Sequence, residues 1–224
     1  FAGGIGFGTI FLKKGYSLQR TYALSKLESA MMPAIQVGLL VLVVTAPAFI
    51  FFSQKGPGAM HAPWLISLAA GLVVGGLSQV SRLCTVGGFR DLFLFKKSIL
   101  IFGYLAVLIG VFVVNISFGN FHLGFENQPI AHTDGLWNFL GMALAGFCSV
   151  LLGGCPLRQL IMTGEGNSDS AVTVLGLAAG AAFAHNFGLA ATGAGPTLNG
   201  EIAVGVGFVV ALIIAILNTK RVNA

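Results

Sequence analysis

Long apolar runs separated by short polar connectors make up almost the whole chain. Runs over 31–52, 63–80, 98–117, 136–154, 168–190 and 201–218 are each long enough to cross a hydrocarbon core as a helix, and 1–12 reads as part of another. Breakers sit between them: Gly56-Pro57-Gly58 predicts a turn, and a Gly/Thr/Pro/Asn-rich segment precedes the last run. The pattern predicts an all-α, polytopic helical membrane protein with one transmembrane domain over 1–224. Phe1 opens the sequence instead of Met and the first run is short, so the chain reads as N-terminally incomplete, with no cleavable signal peptide.

Two connectors carry more chemistry than a turn requires. The stretch GGCPLRQLIMTGEGNSDS, Gly153 to Ser170, frees the backbone at Gly153 and Gly154 and then places Cys155 before Pro156. Proline suits the first position of a helix, which makes Cys155 the N-cap, its sulfur beside unpaired N–H groups at the positive end of the dipole. Arg158 follows one turn later. A thiol so placed can act as nucleophile, ligand or anion partner; the alternative is a small buried residue in a tight turn. The earlier stretch SRLCTVGGFRDLFLFKK, Ser81 to Lys97, also runs from apolar helix to cysteine, paired glycine, arginine and short helix, here with Cys84, Arg90 and Asp91. Its glycines follow the cysteine and no proline is present, so the likeness is loose but suggests an internal repeat. Either stretch can re-enter the bilayer where it lines a cavity.

Composition agrees with the pattern. Only 8% of the residues are charged, against roughly 25% in soluble domains. The net charge of +5 is a topology signal and gives no reason to expect nucleic acid. With connectors placed alternately on two sides, Lys13, Lys14, Arg20, Lys26, Arg82, Arg90, Lys96, Lys97, Arg158, Lys220 and Arg221 share one side, leaving Lys55 alone on the other. The positive-inside rule makes the first side cytoplasmic, with the C-terminus and both cysteine stretches on it. Arg82, Lys96 and Lys97 then read as cytoplasmic anchors.

Three cysteines without CxxC or a Cys/His pair at metal spacing predict neither a disulfide framework nor a metal or cofactor. Cys148, within an apolar run, reads as structural. Arg90 and Asp91 are neighbours among glycines and phenylalanines, where buried charges must pair. His185 lies toward the outer end of its run and is either a pathway residue or an interfacial side chain with a backbone partner. His132, Thr133 and Asp134 read as a helix cap ahead of an interfacial Trp137. Ser168 or Asp169 is the expected cap of the 168–190 helix, while Glu165, Asn167 and Asp169 either balance Arg158 or serve as caps.

The segments SRLCTVGGFRDL, AHTDGLWNFLGM, GGCPLRQL, GEGNSDSAV and AFAHNFGLA together resemble the YeeE/YedE family of sulfur-compound transporters, closest to the YedE branch associated with selenium metabolism. The likeness covers most of the chain from about Gly56 onward. It implies a bacterial or archaeal cytoplasmic-membrane protein, not an enzyme, in which pore cysteines pass thiosulfate or a related anion inward, and a TusA-like cytoplasmic sulfur carrier as partner. Relatives carry a further N-terminal helical portion with its own cysteine motif, so a missing fragment or second subunit would complete the pathway. On this reading Cys155, Cys84, Arg158, Arg90, Gly153, Gly154, His185 and Asp91 line the substrate route. Helix N-termini and thiols offer an oxyanion partial positive charge and weak S–H donors without a buried formal charge. No Walker A pattern is present, so ATP is not expected to drive the process directly. Two other readings stay open: a membrane-bound sulfur or selenium transfer protein with a persulfide relay, and a scaffold subunit with inert cysteines.

Overall fold

The computed structural model describes residues 1–18, 25–49, 62–124 and 132–219, with the backbone alone at 26–29. Its elements are all helical: α1 Ala2–Lys13, α2 Lys26–Thr45, α3 Trp64–Ser81, α4 Thr85–Phe95, α5 Ile99–Ser117, α6 Gly135–Leu151, α7 Pro156–Gly164, α8 Ser168–Asn186 and α9 Leu198–Leu217. No strand occurs among the described residues; two isolated bridges, Tyr16 with Thr219 and Thr192 with Gly195, are the only β pairings there. Four stretches are long and apolar enough to cross a membrane: Trp64–Phe95, Ile99–Ser117, Gly135–Gly164 and Leu198–Leu217. Helix α5 buries none of its residues, as befits an apolar helix facing lipid. Arg20, Lys55, Lys220 and Arg221 of the charge partition, and the Gly56–Pro57–Gly58 turn, lie outside the described residues.

One compact unit holds α1, α4, α5, α6, α9, the first residues of α7 and α8 from Leu175. Here α1 packs on α4 and α6, α4 on α5 and α6, and α6 on α9. Glycine makes the α1–α6 approach close. A Cβ on Gly4 would strike the Ala143 carbonyl, one on Gly146 the Phe1 carbonyl, and one on Gly8 would come within 2.9 Å of Val150 Cβ. Gly4 and Gly8 are four apart and so share a face, the small-xxx-small arrangement that brings membrane helices together. Between them Ile5 is fully buried. The chain then turns at Gly15, and the buried Tyr16 donates its hydroxyl to the Leu151 carbonyl at 3.2 Å.

The second unit holds α2, α3, the remainder of α7 and the start of α8. Pro33 sits inside α2. Gln79 donates its amide to the Glu165 carboxylate. The cap of α8 is Asn167, whose Oδ1 accepts from Ser170 N–H at 2.9 Å. That corrects the expectation of Ser168 or Asp169, which are the first two residues of the helix itself. Asp169 is thereby left in the first turn, where its charge still favours the dipole.

The two cysteine stretches repeat more closely in backbone than in sequence. Helices α3, α4 and α5 have 18, 11 and 19 residues. Helices α6, α7 and α8 have 17, 9 and 19. In each series a left-handed residue, Arg82 at φ 52° or Gly153 at φ 82°, stands two positions before the cysteine that opens the short helix.

Candidate functional site

Cys84 is extended, at φ −151° and ψ 113°, and caps α4: its Sγ accepts the Gly87 N–H at 3.2 Å. That is the N-cap bond to the third helical residue, with sulfur in place of the usual oxygen. Gly87 leaves room for it, since a Cβ there would lie 3.3 Å from Cys84 Cβ and 3.5 Å from the sulfur.

Cys155 reaches the same position by a different local route. Helix α6 ends in a Schellman turn: Gly153 N–H donates to Val150 O and Gly154 N–H to Ser149 O, both at 3.1 Å. Only the left-handed Gly153 permits this without strain. Pro156 then starts α7, and the Cys155 sulfur accepts the N–H of Arg158, three residues on.

The caps cross over. Cys155 Sγ also takes the N–H groups of Thr85 and Val86, the first two residues of α4. Cys84 Sγ takes the N–H of Cys155. The two thiol side chains are hydrogen-bonded to each other. Two main-chain donors therefore surround one sulfur and three the other, at the junction of two helix N-termini. Each terminus carries about half a positive charge. Both cysteines are buried, in an apolar enclosure of Ile5, Val86 and Val150 with Phe1, Leu12 and Phe89 packed against it.

Of the residues expected on the route, Cys84, Cys155 and the backbone of Arg158 meet here, while Gly153 and Gly154 shape the approach. Arg90 and Asp91 lie two turns into α4, roughly 9 Å along the axis from the cap. Arg90 Nε and Nη2 each donate to Asp91 Oδ1 at 2.9 Å, so this pair balances itself. His185 is exposed in the last turn of α8 and is not brought to the sulfurs. Cys148 packs with Leu144, Phe208 and Leu212 in a second cluster around Phe147 and Ala215. Sequence reasoning missed the amides of Thr85, Val86 and Gly87 and the covering role of Ile5; the four-residue spacing of Gly4 and Gly8 was the available signal for the latter. No group of three or more metal-ligating side chains occurs among the described residues.

Asp134 does cap α6, its Oδ1 accepting Trp137 N–H at 3.1 Å. Beside it His132, Trp137, Asn138, Met142 and Glu201 line a cleft of about 250 Å³. It opens at the other end of α6 from Leu151, roughly 25 Å along the helix from the cysteines.

The sulphur-transport family model matches residues 80–220, which takes in both capping cysteines. The chain belongs to this family, YeeE/YedE. One relative, the thiosulfate transporter TsuA of Escherichia coli (strain K12), is 30% identical to it over 111 residues. That match covers 48% of the present chain and 30% of TsuA, so the chain spans under a third of that relative's length. No solved structure matches the chain.

Proposed function

We propose that this sulphur-transport family protein carries a small sulfur-containing dianion, thiosulfate or a close chemical relative, through the Cys84–Cys155 junction. The observation that supports the reading is the convergence of two helix N-termini on two contacting, buried thiols. A dianion leaving water needs donors, and a fixed lysine or arginine at that point would hold it too tightly to release. Main-chain N–H groups give partial charge only, and weak, multiple contacts favour exit as well as entry. The thiols add S–H donors matched to a terminal sulfur. The same softness suits a reduced selenium species, and selenite is the oxyanion to compare.

On this reading the chain has six full spans and a short first helix in the cytoplasmic membrane of a bacterium or archaeon. The C-terminus is cytoplasmic, and the anion moves inward to a TusA-like sulfur carrier. Arg158, Gly153 and Gly154 border the route, and Arg90, Asp91 and His185 are the outer candidates.

Uptake of radiolabelled thiosulfate and selenite into proteoliposomes tests the proposal. Cys155→Ala should reduce thiosulfate uptake to background while the protein stays folded and inserted. Cys155→Ser keeps a cap and a donor; residual uptake there supports a hydrogen-bonded passage, and a persulfide trapped on Cys155 during turnover supports covalent transfer. Full uptake with serine at both positions 84 and 155 would sink the cysteine-based account.

A further inference from the structure

Two thiols held against each other in an apolar enclosure also meet the geometric conditions for a covalent bond. The Cys155 N–H reaches Cys84 Sγ, the Thr85 N–H reaches Cys155 Sγ, and the side chains touch. A sulfur that contacts its neighbour's sulfur and main chain together requires closely spaced backbones. A disulfide bridges Cα atoms roughly 4.4–6.8 Å apart. The third cysteine, Cys148, belongs to a different cluster and does not compete. Both sulfurs also accept main-chain N–H bonds, which hold them in place beside each other.

We propose that Cys84 and Cys155 form a redox modification site: a peroxide joins them as a disulfide and closes the pathway, and a dithiol reductant reopens it. One thiolate sulfur attacks the peroxide, the O–O bond breaks, and a sulfenic acid and water result. The second thiol then attacks the sulfenic sulfur, the S–S bond forms, and the hydroxyl leaves as a second water. Two thiols lose two electrons and two protons in all, and one peroxide becomes two waters. Reduction proceeds through a mixed disulfide with the reductant. Closure follows because neither sulfur keeps an S–H to offer and the first turns of α4 and α7 become tied together. This closing role rests on the proposed anion route; the bond itself does not.

The test uses the Cys148→Ser chain, in which Cys84 and Cys155 are the only thiols. The protein in proteoliposomes is treated with hydrogen peroxide, denatured, and its free thiols are counted with a polyethylene-glycol maleimide. Two thiols before treatment, none after, full recovery with dithiothreitol and an unchanged monomer band on a non-reducing gel are expected. Peptide mass spectrometry should find Cys84 joined to Cys155 with loss of two hydrogens. Retention of both thiols, chain-to-chain dimers, or loss of the remaining thiol in Cys84→Ser or Cys155→Ser as fast as in the pair would overturn the proposal. Thiosulfate uptake on the same samples should fall in step with the thiol count and return on reduction; bond formation with uptake unchanged overturns the closing role. Absent uptake in the fully reduced protein refutes the transport reading, and the thiol count still decides the disulfide.

Discussion

Arg82 and Gly153 hold the same left-handed backbone, at φ 52° and φ 82°, each two residues ahead of a cysteine that opens a short helix. Glycine adopts this conformation freely, whereas a residue with a Cβ is strained by roughly 1–2 kcal/mol. Arg82→Gly should therefore raise stability by about 1 kcal/mol, and Gly153→Ala should lower it by a similar amount. Thermal unfolding in detergent measures both. Arg82→Ala, which keeps the Cβ, should leave the midpoint near that of the native chain.

Thr85 and Pro156 occupy equivalent first positions of α4 and α7, but only Thr85 has an N–H to give the opposing sulfur. Thr85→Pro should fold normally: proline suits this position, and the preceding Cys84 is already extended at ψ 113°. It removes one of the three donors at Cys155. Thiosulfate uptake is expected to fall about tenfold, the equivalent of one hydrogen bond of roughly 1.5 kcal/mol, with the melting temperature unchanged. Thr85→Ala, which keeps the N–H, should transport normally.

These two positions show how much of the site could be read in advance. Gly-Gly-Cys-Pro is a local signal, because each residue type favours one backbone state, and it indicated the Cys155 cap. Cys84 gave no such signal: its left-handed turn is carried by an arginine, and its glycines serve the following helix. Asn167 stood among the cap candidates together with Ser168 and Asp169, but the choice was not legible, since adjacent polar residues are all competent caps and tertiary context selects among them. The contact between positions 84 and 155 joins residues far apart in the chain, which helical periodicity does not address. The all-helical class was legible throughout, because a chain with so few charges must satisfy its backbone internally.

Gly146→Ala tests whether α1 seals the thiols. The new methyl would meet the Phe1 carbonyl and the Ile5 N–H, 3.2 Å from the latter's nitrogen, and should displace the start of α1. Maleimide labelling of Cys155 is expected to accelerate at least tenfold in the folded protein. Ile5→Ala should do the same more mildly, with a loss of about 2–4 kcal/mol in stability for a fully buried isoleucine. Unchanged labelling in both variants would remove α1 from the enclosure.

Tyr16 provides a pH test. Burial, and secondarily Cys148, raise its phenol above the ordinary value of 10.0. A folded-state pKa above the unfolded one contributes stability that is fully present below pH 10 and is lost as the pH climbs through the folded value. The melting temperature should decline above pH 10, and Tyr16→Phe should flatten the part of that decline due to this residue. The variant should also lose about 1 kcal/mol at neutral pH with the bond to the Leu151 carbonyl. An identical alkaline slope in native and variant chains would rule the residue out.

The donors around the two sulfurs belong to the main chain, and every amino acid except proline carries one. Residue identity at 85 and 158 is consequently free to drift without altering which main-chain donors the sulfurs meet, whereas Val86 also packs in the enclosure. Alanine scanning of positions 85 and 158 would pass over those donors, and a comparison of side chains would register little of them beyond two cysteines and the glycine at 87. With the two thiols kept, changing the selectivity of such a place calls for moving the ends of two helices, by altering the lengths or the turns that deliver them.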